Sequence, residues 1–534
     1  MLINPRKYNR VCQDDISHEL CVKTIGFFEE RGQAKLRQDD HDRVWYQDFL
    51  DFQKKEKLFA TFLTPPPYGE RFDMHRNGAL AEILGFYGLP YWYTWQVTML
   101  GLGPIWMSHN ESIKKKAANL LEDGGIFGFG LSEKEHGADL YATEMALSDS
   151  GHATGRKYYI GNANKASLLS TFGKQGSEFV FFAVDPSQDG FRCIQNVVNS
   201  QNYVGEYELN AMKITDILSR GDEAWDTALN TINICKCNLG WASVGIATHA
   251  FYEAIHHAAG RKLYNKPVTD FPHVKGLFIE AYCRLIGMKI FTERAFDVMR
   301  SARQNDRRYL LTNPMIKMKV TLEGERVIDA LWDIIAAKGF EKSMFFDAAT
   351  RDIRALPKLE GTVHVNMALV TKFMKNYFSS TVSMPEITPQ RSPAHDAYLF
   401  TQGPTKGLKD IRFDARPAWN KSPNAAVFEH QVAAFKRFIL ITHQDNLLKV
   451  GDLFSLIVYK DLLIGDSDTL DALYGYLVDD FSHKALALAH MPGIRTLEKL
   501  LIWPMIRCPI HDAARDSRIY ESILLMRNTY KAIS

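Results

Sequence analysis

The chain has 534 residues, 46% hydrophobic and 24% charged, which is ordinary for a globular protein and too long for a single core. A formal net charge of +2 supplies no global field to draw in nucleic acid or an anionic membrane. Seven cysteines without a CxxC pair give no zinc-binding spacing and suit reduced thiols in a cytoplasmic chain, so no metal site is expected.

MLINPRKYNRVCQDD at the start has no apolar core of a signal peptide and is too acidic for a transit peptide. No apolar run reaches the roughly 18 residues that would span a membrane. Residues 1–125 read as an N-terminal helical domain, broken by TPPPYGERFDMHR (64–76). LPYWYTWQVTMLGLGPIWM (89–107) is aromatic and Gly-spaced, fitting either a buried helix or the wall of a cavity. NESIKKKAANLLEDGG (110–125) is a capped helix closed by glycine. Over 126–220 β-rich runs alternate with turn residues, GRKYYIGNA, SEFVFFAVDP, GFRCIQNVVN and VGEYELNAMKI, giving a small middle β domain. Helical period returns over 221–383, with three long segments at 241–265, 272–304 and 315–339 that look like an antiparallel bundle, a C-terminal four-helix bundle by the resemblance given below. A proline-rich linker (384–395) leads into a helical extension to 534, in which 428–464 reads as one helical region. The fold class is α+β, mainly α.

Two stretches carry chemistry. GIFGFGLSEKEHGADLYATEM (125–145) offers backbone N–H groups and a hydroxyl beside a flat apolar surface, suited to the edge of a planar ring and equally to an ordinary β-turn. RALPKLEGTVHVN (354–366) sets Glu360 directly before Gly361, a pair poorly placed inside a helix. The carboxylate therefore belongs at a junction, held by surrounding elements, or else caps the helix that follows.

In order along the chain stand Leu131-Ser132-Glu133 with His136-Gly137-Ala138-Asp139, then Gly155 to Asn162, Arg261 to Pro267, and Arg351-Asp352 leading to Glu360-Gly361-Thr362. Over about residues 30–380 this succession resembles the acyl-CoA dehydrogenase and acyl-CoA oxidase superfamily. The resemblance implies FAD-dependent α,β-dehydrogenation of an acyl-CoA thioester, part of fatty acid and lipid metabolism. Glu360 would abstract the α proton while FAD N5 accepts the β hydride. Phe129, Leu131 and Ser132 would lie along the flavin, with Tyr159 as its flanking aromatic and Gly161 where the family has a flavin-bonding threonine. Arg261 and Tyr264 would reach the FAD of a neighbouring subunit, which implies a homodimer or homotetramer. Thr362 would bond the phosphate or ribityl region, and the Glu360 backbone N–H would hold the substrate carbonyl beside Gly361.

Departures from the family pattern are equally specific. Its glycine-rich partner-FAD turn reads Asp333-Ile334-Ile335-Ala336-Ala337 here, placing an anion and two methyl groups near the adenine side. Ala138 replaces a serine that helps hold CoA, while Asn233 and Lys236 replace the substrate-side Asp and Arg. Lys236 could meet a CoA phosphate as a point charge. The pattern fits a divergent enzyme, a member that binds FAD or a partner without dehydrogenating, or an oxidase. The electron acceptor would be an electron-transfer flavoprotein or oxygen, and a carrier-protein thioester could replace the CoA ester. The extension is similar to those of the longer superfamily members and is expected to cover a neighbouring subunit. Its acidic centre, KDLLIGDSDTLDALYGYLVDDFSHKA (460–485), argues against nucleic acid.

Overall fold

The computed structural model describes residues 2–9, 14–379, 384–389, 392–414, 422–440 and 447–530. The protein is mainly α with one small sheet, as the sequence implies. Helix Leu89–Met107 is apolar on all sides, so it cannot lie on a surface. It is buried along its whole length except Met107. Asp352 accepts a hydrogen bond from the Leu89 backbone N–H at 3.3 Å and so ties this helix to the bundle. Among the described residues no helix is long and apolar enough to cross a membrane.

The sheet comprises β1 (Ile126–Gly130), β2 (Ala146–Leu147), β3 (His152–Gly161), β4 (Ala166–Gln175), β5 (Glu178–Val184), β6 (Phe191–Asn196), β7 (Val204–Lys213) and β8 (Ile217–Arg220). Its order is β6-β7-β3-β2-β4-β5-β8, with β1 pairing parallel to β4. β4 has no counterpart among the runs expected from sequence. Ser167, Ser170, Thr171 and Gly173 break the apolar pattern that marks a strand, yet the hydroxyls of buried Ser170 and Thr171 are satisfied inside. Ser170 Oγ donates to the Gly101 carbonyl at 2.6 Å, and Thr171 and Tyr207 share a 2.7 Å hydroxyl contact. Gly101 is where helix Leu89–Met107 meets β1, since a Cβ there would stand 2.6 Å from the Gly128 carbonyl oxygen.

A single 40-residue helix, Gly221–Gly260, forms the spine of the bundle beside Pro272–Arg300. The helix expected over 315–339 is interrupted. Tyr309–Met315 passes through a π turn, Ile316–Val320, into Thr321–Ile335, and residues Ala336–Phe340 form a 3-10 turn. Pro314, which has no N–H to donate, stands just before the change of register.

The stretch 428–464 is two helices, Pro423–Ile439 and Leu447–Leu462, rather than one; residues 441–446 lie outside the described set. This extension covers the chain's own bundle. Arg284 joins Glu280, Glu323 and Asp480 at 2.8, 2.9 and 3.0 Å, linking helix Pro272–Arg300 to helix Asp468–Ala489. The described residues 392–414 of the connecting segment are fastened down: Asp396 accepts from the Met74 N–H at 2.7 Å and Arg300 Nε at 3.2 Å.

Candidate functional site

Glu360 sits between a 3-10 turn, Leu356–Lys358, and helix Val363–Thr371, at the junction its sequence context predicts. Its backbone is left-handed, φ +54°, and Gly361 follows at φ +86°. A side chain held in that region is uncommon and needs its surroundings to enforce it. Thr362, not Glu360, caps the following helix, its hydroxyl accepting from the Val365 N–H at 3.3 Å. The Glu360 carboxylate is thereby free to point inward.

Inside, Gln96 Nε2 donates to Glu360 Oε1 at 2.6 Å and to the Cys235 carbonyl at 2.9 Å. Asn238 Nδ2 completes the chain by donating to Gln96 Oε1 at 3.1 Å. Glu360 Oε2 is sealed from solvent and has no hydrogen-bond partner. Burial pushes the carboxyl up from 4.5 to about 7, opposed by the Gln96 bond and by the charges of Lys236 and Lys317. Those two lysines are themselves buried, and burial pulls Lys236 down to about 8 and Lys317 to about 7. Lys317 Nζ donates to the carbonyls of Pro357, at 2.6 Å, and Gly361. Cys235 and Cys237 flank Lys236, and burial holds both thiols well above their ordinary range.

On the sheet side, Tyr159 occupies a bulge of β3 between Lys157 and Ile160, at φ +63°, and its ring is 60% exposed. Ser132 lies alongside, its hydroxyl donating to the Tyr158 carbonyl at 2.6 Å. Phe129 is buried against Phe181 at 5.9 Å, while the Leu131 carbonyl accepts from buried Lys157 at 2.9 Å. Gly161 is closed in: a Cβ there would meet Tyr93 Cε1 at 2.8 Å, the Tyr93 hydroxyl at 3.0 Å and Val97 Cγ2 at 2.6 Å. Tyr93 also feels the Glu360 charge, which adds to burial in raising its phenol. Ala138 lies on an exposed loop.

Asn233 and Lys236 stand within the bundle, 7% and 8% exposed, and Lys236 is close enough to Glu360 for its charge to act on the carboxyl. Lys236, expected from sequence to meet a CoA phosphate as a point charge, is enclosed beside Glu360, whose charge acts on it. The Asn233 carbonyl accepts from Asn313 at 3.0 Å, leaving Asn233 Nδ2 buried and unpartnered. Beyond Gln96, Met99, Leu102, Trp106, Ile234 and Phe400 line a small apolar hollow. Arg261 and Tyr264 lie on a hairpin after the spine helix, and Tyr264 is 90% exposed at its tip. Asp333, Ala336 and Ala337 are exposed too.

The structure thus brings Lys236 to Glu360 and Gly361, and Tyr93 stands between that carboxylate and Gly161 of the sheet, which also carries Tyr159 with Ser132 alongside. Arg261, Tyr264, Asp333 and Ala337 lie outside this group on the surface. Sequence reasoning missed Gln96, Tyr93 and Lys317. Gln96 and Tyr93 stand in a run that reads as buried helix and Lys317 in an amphipathic one, and only the orientation of each reveals a role.

The family description "Acyl-CoA dehydrogenase, C-terminal domain" matches residues 222–375. A 3-(aryl)acrylate reductase of Clostridium sporogenes is 22% identical, over 51% of this chain and 75% of its own. The CarC subunit of a caffeyl-CoA reductase–Etf complex from Acetobacterium woodii is 21% identical, over 68% of this chain and 96% of its own. Among solved structures, an acyl-CoA dehydrogenase complexed with FAD from Bacillus anthracis shares the fold with a TM-score of 0.73. That match covers 98% of this chain and 96% of that one at 16% identity.

Proposed function

Taking as premise that the chain belongs to the acyl-CoA dehydrogenase superfamily, we propose that it dehydrogenates an acyl-CoA thioester between Cα and Cβ, with Glu360 as the base. The observation that carries this reading is a buried carboxylate with one unpartnered oxygen, raised to about 7 and held by Gln96, which also bonds the carbonyl of Cys235 in the wall of a small apolar hollow. An α proton of a thioester is weakly acidic, and a base that titrates near neutrality is well matched to remove it. Oε2 of Glu360, with no donor on it, takes that proton. Gln96 holds Oε1 and so fixes which oxygen faces the substrate. The Glu360 N–H polarises the thioester carbonyl, and the unpartnered Asn233 amide is placed to bond a polar group of the pantetheine chain.

FAD, when bound, supplies the acceptor for the β hydride. Residues of this chain suit it: an exposed Tyr159 ring on a bulged strand offers a flat apolar face, and Phe129, Leu131 and Ser132 adjoin it. Gly161 carries no hydroxyl, but the Tyr93 hydroxyl stands 3.0 Å from where a side chain at that position would begin and presents one to the same region. Exposed Tyr264 and Thr362 and half-buried Arg261, with Asp333 and Ala337, form an outer set for the nucleotide end of a neighbour's cofactor, which calls for a homodimer or homotetramer. Proton transfer at Glu360 is reversible, so the same geometry reduces an α,β-unsaturated thioester when electrons are supplied. An electron-transfer flavoprotein is the proposed partner, with oxygen as the alternative acceptor.

Anaerobic mixing of the purified protein with saturated acyl-CoAs of graded length, followed by flavin absorbance, tests this. Bleaching by one length class that disappears in Glu360→Gln is the expected result. A protein that carries flavin yet is bleached by none of them, or a Glu360→Gln variant that bleaches normally, overturns it.

A further inference from the structure

Lys317 is fully buried and spends its ammonium on two backbone carbonyls rather than on a carboxylate. Those carbonyls belong to Pro357 and Gly361, which bracket Glu360. A methionine would fill this space without desolvating a charge, so packing alone does not call for lysine. Lys317 also lies on the π turn Ile316–Val320, the one place where this bundle helix changes register. Such turns redirect side chains, and here neighbours diverge: Lys317 reaches the Glu360 loop while Lys319 pairs with Glu323 at 2.5 Å. Asn366 supports the same loop, donating to the carbonyls of Gly361 at 3.2 Å and Thr362 at 2.9 Å.

We propose that Lys317 is the positioning residue for Glu360: its ammonium clamps the carbonyls on both sides of the base, holds the left-handed turn that aims the carboxylate, and sets its charge environment. The proposal rests on the reading of Glu360 as the base. Groups facing Glu360 come from three elements. Helix Leu89–Met107 contributes Gln96 and Tyr93, and the spine helix contributes Lys236 between two protonated thiols. The π turn contributes Lys317, whose charge favours the ionised carboxylate. Lys358, on the base's own segment, is turned outward to Glu325 at 2.6 Å.

The test uses the full-length protein and a probe that cannot be oxidised, an acyl-CoA with sulfur at the β position. Exchange of its α protons in deuterated water reports base action alone, and isotope-edited infrared difference spectra against Glu360→Gln report the carboxyl titration directly. Lys317→Met is expected to bind the probe within a few-fold of wild type. Its exchange should fall about 100-fold, the loss that follows a misplacement of about 1 Å. The Glu360 titration should move upward by about one unit, as loss of a nearby cation requires. A merely structural lysine would lower the melting temperature and leave that titration in place. Should Lys317→Met not fold, Lys317→Gln keeps one donor, drops the charge and is read the same way. Wild-type exchange and an unmoved titration in the variant overturn the proposal. If Glu360→Gln itself still exchanges, the assignment of the base fails, and that outcome is distinct from failure of the clamp.

Discussion

Gln96→Met removes the only hydrogen bond that the Glu360 carboxylate makes among the described residues, while keeping the length of the side chain. The bond is short, 2.6 Å, and its acceptor carries charge when Glu360 ionises. Bonds of that kind contribute about 1.5–3 kcal/mol, and one pKa unit is about 1.4 kcal/mol, so its loss raises the base by about 1–2 units. Removing a donor disfavours the anion, so the shift is upward from about 7. At neutral pH the ionised fraction then falls from about one half to about 1–10%, which lowers base-dependent exchange roughly 5- to 50-fold. Above the new pKa the rate recovers. The Cys235 carbonyl and Asn238 also lose their partner, which costs about 1–3 kcal/mol of stability. Exchange of the β-thia acyl-CoA probe measured from pH 5 to pH 10 reads the whole profile. If the acidic limb of the variant lies on the wild-type limb, Gln96 does not govern this carboxylate and the reasoning is wrong.

Gly161→Thr drives a Cβ into Tyr93 and Val97 and is expected to destabilise by about 1–3 kcal/mol. In a double-mutant cycle Tyr93→Ala should give back much of that loss, whereas strict additivity would mean the two positions do not compete for space. Glu360 binds its proton more tightly folded, about 7, than unfolded, 4.5, so wild type loses stability as pH rises through that window. Glu360→Gln should therefore melt higher than wild type at pH 8, by about 2–3 kcal/mol in stability, and match it at pH 4; an equal gain at both would reject the linkage. Lys236→Arg installs a cation that cannot deprotonate, and the acidic limb of exchange should move down by about one unit. No movement of that limb would show Lys236 to be electrically remote from the base.

How far the site could be read from sequence depended on whether a residue's role is local. Glu360 was legible because Glu-Gly cannot continue a helix, and the backbone at +54° and +86° is the physical form of that conflict. Tyr159 was legible from the hairpin around it, though not the bulge that exposes its ring. β4 was not, because its serines and threonine are satisfied by partners 36 and 69 residues away, invisible to any local pattern. Lys317 was hidden for a different reason. In MIKMKV two lysines alternate with apolar residues, which reads as a solvated edge, yet both are buried. A change of helical register decides where each points, and no propensity scale carries that signal. Lys236 was singled out by the resemblance, but a lysine on a helix gives no hint that its ammonium is enclosed.

The two lysines explain one another. A base that must both ionise and bind a proton near neutrality needs cations close enough to offset burial, but not so strong that its carboxylate becomes inert. Arginine would stay charged under all conditions and could seize the carboxylate with two parallel bonds. Lysine yields: burial has already brought Lys236 to about 8 and Lys317 to about 7. Around pH 7 the cluster of Glu360, Lys236 and Lys317 therefore holds protons that are nearly balanced between acid and base forms. Such a cluster can accept a proton from a substrate without any one group moving far from its resting charge. The price is an interior with three strained ionisations and a left-handed turn, and the rest of the fold has to enforce it. Asp352 fixes the start of the Gln96 helix, and the Arg284 network pins the extension over the bundle that carries Lys317. The extension is thus tied by buried ion pairs to the chain's own bundle, on the helices next to the turn that carries Lys317.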